Sequence, residues 1–142
     1  RPDQCAQVPE AANVCVDERL DPVGGAQQLH HYEAALVMTH SHALDYDLCR
    51  ILLRRPDLVY TGLIGSESKS RRFRKALRKD GLHDLELARL TSPIGKQGPD
   101  GKEPGVIAMS VLSEILTVCQ RAQDRQRSCA AGTTPLNQVH HG

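Results

Sequence analysis

Ala34-Ala35-Leu36-Val37-Met38-Thr39-His40-Ser41-His42-Ala43-Leu44-Asp45 passes from an unbroken apolar run, through a polar turn, into a helix. An apolar run with no alternation is what a parallel strand covered on both faces requires. The helix that follows sets Leu44, Leu48, Ile51 and Leu52 on one face. Asp45 and Asp47 in its first turn and Arg50, Arg54 and Arg55 in its last suit the helix dipole, and Pro56 stops it.

Downstream the pattern repeats. Leu58 to Ile64 reads as a second strand, Gly65-Ser66 as turn and cap, and a strongly basic helix runs to about Lys79, where Asp80-Gly81 ends it. A short helix is expected from Asp84 to Leu90, then a Gly/Pro-rich loop from Thr91 to Lys102. Glu103-Pro104 opens a last helix whose apolar residues, Val106 to Val118, nearly encircle it, which predicts burial on all sides. Upstream, Asn13 to Asp17 is a short strand candidate, and Asp21-Pro22 is an N-cap with Pro at the first helical position. Residues 1–12 read as a connecting loop, and a start at Arg1-Pro2 reads as that of a fragment. From Gln120 the chain turns polar, so 1–119 is expected to be one domain and 120–142 a disordered tail.

Strands alternating with helices define an α/β fold with a doubly wound, mostly parallel sheet. In such sheets ligands bind beyond the carboxyl ends of the strands. Three segments fall there: Thr39 to His42, Gly65 to Lys69, and the loop from Pro93 to Glu103.

Composition narrows the function classes. The 142 residues fit one domain, and a formal charge of +1 gives no overall pull toward nucleic acid or membrane. The five cysteines are odd in number and widely spaced, with no C-x-x-C pair, which reads as reduced thiols in a cytoplasmic protein. No stretch is read as a membrane span, which takes ~18 apolar residues. The basic run from Lys69 to Lys79 holds a single aromatic, Phe73, which at helical spacing with Leu77 packs on the sheet and is no stacking platform for nucleic acid.

At Thr39 to Asp45 two readings stand. Ser41 or Thr39 caps the helix and the histidines sit at a polar edge, or His40 and His42 touch a ligand; no neighbouring residue completes a metal site. At Gly65-Ser66 the free N–H groups of a helix start favour an anion, with Lys69 and Arg72 one turn in to add charge-assisted bonds to phosphate. The alternative is an ordinary capped helix with a solvated basic face. Glu103 serves the helix dipole, or Lys102 reaches into the crevice. No Walker loop is present.

Leu36 to Asp45, Gly62-Leu63-Ile64-Gly65-Ser66 with Lys69 and Arg72-Phe73, Ala88 to Thr91, Pro93-Ile94-Gly95, and Gly101-Lys102-Glu103-Pro104 occur in that order. Together they resemble the C-terminal domain of the xanthine dehydrogenase accessory protein (XdhC/CoxI) family, over about residues 13–119. The resemblance implies a Rossmann-like domain, here lacking its first β-α-β unit. It implies a maturation chaperone, not an enzyme, that binds molybdenum cofactor (molybdopterin or its dinucleotide form). That chaperone delivers the cofactor in sulfurated form to xanthine dehydrogenase or a related molybdenum hydroxylase. The implied partners are that client, a cysteine desulfurase and a possible second copy in a homodimer. The cofactor-binding set is then Thr39, His40, His42, Asp45, Gly65, Ser66, Lys69, Arg72, Gly95 and Lys102. Ser92 stands where related sequences often carry cysteine. The fold alone also permits an NAD(P)-type dinucleotide-binding module of an oxidoreductase. In the strand order 3-2-1-4-5-6, the strands near Val14, Leu36 and Val59 are third, fourth and fifth, so the edge beside Leu36 is expected to lack its neighbour.

Overall fold

The computed structural model describes residues 20–29, 34–95 and 103–132. The strand candidate at 13–17 and Lys102 lie outside them. The order is α1 (Pro22–Gln27), β1 (Ala34–Val37), α2 (His42–Leu53), β2 (Tyr60–Leu63), α3 (Glu67–Lys79), α4 (Asp84–Leu87), β3 (Leu90–Thr91) and α5 (Pro104–Ala131). The strands form a parallel sheet in the order β1-β2-β3, with Val37 opposite Leu63 and Gly62 opposite Thr91.

Alternation along the strands divides the sheet into two faces. Val37 and Leu63 join a core with Cys49, Leu52 and Leu53 of α2 and Phe73 and Leu77 of α3. The opposite face carries Leu36, Tyr60 and Gly62 and is met by α5, where the Tyr60 hydroxyl reaches Glu114 at 3.3 Å. Tyr60 lies across Gly62: a Cβ there would sit 2.8 Å from Tyr60 Cε1 and 2.7 Å from Leu36 Cδ1.

The caps fall where the sequence puts them. Asp21 accepts from the Gly24 N–H, Ser41 from Leu44 and Ser66 from Lys69. At the other end of β2, Arg89 donates to the carbonyls of Leu53, Arg55 and Leu58, tying the end of α2 and the start of β2 to β3.

Five expectations need correction. The run at 34–38 is not covered on both faces, since Leu36 is 38% and Met38 60% exposed. The helix from Asp84 ends at Leu87, and Leu90–Thr91 is a third strand, too short to show a period. The last helix is buried only along Ser110, Val111 and Glu114, because only one stripe of it can meet the sheet; Met109, Leu112 and Leu116 are exposed. That helix also continues to Ala131, so residues 120–131 are helical, whereas a tail was expected. By length and composition alone α5 could span a membrane, contrary to the reading that no stretch could, although its Glu114 is engaged with the sheet.

Candidate anion-receiving edge

Because β1, β2 and β3 are parallel, the turns after them leave the same edge. Ile64 N–H bonds to the Val37 carbonyl, which sets the first two turns side by side. Each of these turns opens a helix through a serine in extended backbone. Thr39 reinforces the first: its hydroxyl donates to the Ser41 carbonyl and accepts from the Ser41 N–H.

Beneath the turns lies a buried ion pair. Lys69 Nζ is 2.6 Å from Asp45 Oδ2 and 3.0 Å from the Ile64 carbonyl, and it sits 5.4 Å from the centre of the Phe73 ring. Asp45 Oδ1 accepts from the Thr39 N–H. Burial pushes the Asp45 carboxyl up, but the bonds from Lys69 and Thr39 outweigh it and hold the group below its ordinary range. Cys49, one turn further along α2, has its thiol pushed up to about 12 by burial and by the Asp45 charge, which makes it a packing residue and no nucleophile.

Above the turns the surface is polar and open. His40, His42, Ser66, Ser68 and Arg72 are exposed. Arg72 Nη2 lies 3.4 Å from His42 Nδ1, joining the first turn of α2 to the second turn of α3. Ser66 and Ser68 share a 2.9 Å hydroxyl contact. Two adjacent helix starts, with a guanidinium between them, can receive an anion. Among the described residues, no group of three or more His, Cys, Asp or Glu could hold a metal ion.

The expected set therefore separates. His40, His42, Ser66 and Arg72 face outward at the strand ends. Thr39 and Asp45 belong to the support, and Lys69, expected to reach phosphate, points inward because a buried carboxylate claims it. Gly65 makes room for that lysine: at φ 148, a Cβ would lie 2.6 Å from Lys69 Cδ. Gly95, at φ 78, spends its N–H on Glu114 Oε2 at 3.0 Å. Two residues escaped the reading. Glu114 and Tyr60 form a buried polar link under α5, and the available signal was a lone acid in the middle of an apolar helix.

Parallel strands with both helix-opening turns at their carboxyl ends define a Rossmann-type domain. The profile of the XdhC Rossmann domain matches residues 2–115, and the chain belongs to that family, an accessory family of xanthine dehydrogenase. It is also similar to the uncharacterized protein YqeB of Escherichia coli (strain K12), 37% identical over 71 residues, or 50% of this chain. The aligned stretch is 13% of YqeB, so the chain spans a small part of that relative.

Proposed function

We propose that this domain binds molybdenum cofactor, as molybdopterin or its dinucleotide form, in a cytoplasmic maturation chaperone for xanthine dehydrogenase or a related molybdenum hydroxylase. The observation that carries the reading is the pairing of two capped helix starts with the exposed His42–Arg72 contact, which fits a phosphate-bearing ligand. Arg72, His42 and the first N–H groups of α2 and α3 would hold the phosphate. The cofactor supplies redox chemistry to the client enzyme, and the chain's own residues bind and orient it. The partners proposed with this role are the client and a cysteine desulfurase that provides the sulfur.

Titrating the protein with molybdopterin, and separately with NAD, tests the reading. Saturable binding of molybdopterin, weakened in Arg72→Ala, is the expected result. Binding of NAD alone would move the assignment to a dinucleotide-binding module of an oxidoreductase.

A further inference from the structure

α3 sorts its residues by face. Lys69, Ser70, Phe73 and Leu77 are buried, while Arg71, Arg72, Lys75, Arg78 and Lys79 are exposed. Residues three and four apart are neighbours on a helix surface. Around Lys75 those neighbours are Arg71, Arg72, Arg78 and Lys79, and every one of them is a cation. Arg78 is relieved by Asp84 at 3.1 Å, and Arg72 lies against His42, which is no anion. Arg78 and Lys79 suit the carboxyl end of the helix dipole, but Lys75 sits mid-helix, where the dipole gives it nothing. Like charges at these spacings destabilise a helix. Lys75 is exposed, so packing does not offset that effect.

We propose that the outer face of α3 docks an acidic polypeptide segment, a helix that carries its carboxylates at matching four-residue steps. Arg71, Lys75 and Lys79 follow one another at such steps, which are roughly 6 Å each along a helix. A row of cations calls for an anionic partner, and its surroundings choose the class. Nucleic acid and an anionic bilayer present negative charge without gaps. Either would press on Asp80 and Asp84, which are exposed and close the carboxyl end of the row. Phe73, the one aromatic of α3, is 5% exposed and offers no platform for a base. A polypeptide carries its acids singly and can be neutral opposite Asp80 and Asp84. The segment so docked stands beside the anion-receiving edge, since Arg72 reaches that edge from the same helix. This surface goes beyond the cofactor reading and would stand without it.

The test uses the whole chain, without cofactor, and a labelled alanine-based peptide with glutamate at every fourth position. A peptide of the same composition with its glutamates adjacent serves as control. In fluorescence anisotropy the spaced peptide should bind saturably and more tightly than the control, and added salt should weaken it. The Arg71→Glu, Lys75→Glu double variant should weaken it by about tenfold or more, since two exposed ion pairs become repulsions. Arg121→Glu with Arg125→Glu makes the same change of net charge on α5 and should leave binding unchanged. Lys75→Glu alone should raise the unfolding midpoint, because it sets an anion among four cations, so lost binding is not lost fold. Equal weakening by the two double variants would overturn the proposal, because net charge alone would then govern binding. Equal binding of the two peptides would remove the matched spacing and overturn it too. Tighter binding of a short single-stranded RNA, or of phosphatidylserine vesicles, abolished by the α3 variant, would give the surface to that partner instead. A lowered midpoint in Lys75→Glu would make the cluster a part of the fold, and no peptide binding at all would leave the face merely solvated; each result sinks the docking surface.

Discussion

Lys69 Nζ and Asp45 Oδ2 stand 2.6 Å apart, with the lysine 9% and the aspartate 0% exposed in their side chains. One charge comes from the first turn of α2 and the other from the first turn of α3. The pair therefore fixes the spacing of the two helix starts and of the exposed His42 and Arg72 above them. Its role is mechanical: it holds the edge open at one width, and the exposed charge lies elsewhere, at Arg72.

Removing one partner leaves the other charged and buried. Lys69→Ala or Asp45→Asn should each cost about 3–5 kcal/mol in chemical denaturation, a large share of a domain's ~5–15 kcal/mol. The double variant Asp45→Asn with Lys69→Met should recover part of the loss. Additive losses would show that the two residues act separately.

Acid should loosen the same pair. The Asp45 carboxyl titrates lower in the folded chain than its ordinary value of 3.8. A lowered folded pKa means that its contribution is complete above the unfolded value and disappears as pH falls through the folded one. Stability measured against pH should therefore drop below about pH 4, and the drop should be shallower in the Asp45→Asn, Lys69→Met double variant.

At the surface the expectation is the reverse. Arg72→Ala should leave the unfolding midpoint within about 0.5 kcal/mol of the parent, as for most exposed substitutions. If the cofactor reading holds, it should weaken molybdopterin binding by about 1.5–3 kcal/mol, the worth of a charge-assisted bond. Lys69→Ala should instead show its effect in stability, and calorimetry of both variants separates the two roles.

Gly62→Ala should destabilise by about 1–3 kcal/mol, because the new methyl would meet the Tyr60 ring and Leu36 together. Tyr60 is pinned by Glu114 and cannot swing aside. Pairing Gly62→Ala with Leu36→Ala should relieve part of the cost, and thermal melts of the three variants measure it.

The tyrosines give an alkaline signature. Burial, then the bond to Asp80, pushes the Tyr46 hydroxyl up to about 12. Burial and the Glu114 charge push Tyr60 above its ordinary value of 10.0. Raised folded pKa values mean that this stabilisation is whole below about pH 10 and is lost as pH climbs through the folded values. Tyrosinate absorbance should therefore rise for Tyr46 and Tyr60 only well above pH 10, and Glu114→Gln should bring the Tyr60 step down.

Much of the fold was legible because local signals agreed. The Leu36–Asp45 stretch announced strand, turn and helix, and Ser41 and Ser66 cap where a serine before a helical stripe should. What escaped was tertiary. Leu90–Thr91 has two residues, too few for a period, and is a strand only because β2 lies beside it. The exposed row of α5 could not be foreseen, since apolar residues all round a helix do not say how many neighbours it has. The candidate edge was legible in place but not in roles. Lys69 looked like an anion ligand because a cation one turn into a helix reads the same whether it faces out or in. Only Asp45, 24 residues away, decides its direction.

Arg89 sits 31–36 residues after the three carbonyls it gathers, at Leu53, Arg55 and Leu58. During synthesis those acceptors leave the ribosome first, and at roughly 5–20 residues per second they precede Arg89 by roughly 1.5–7 s. Until it arrives, the carbonyls of Leu53 and Leu58 lack this donor, while Arg55 already accepts from the Leu58 N–H. The bonds that tie the α2–β2 junction to β3 are therefore among the last that a nascent chain can make in this sheet.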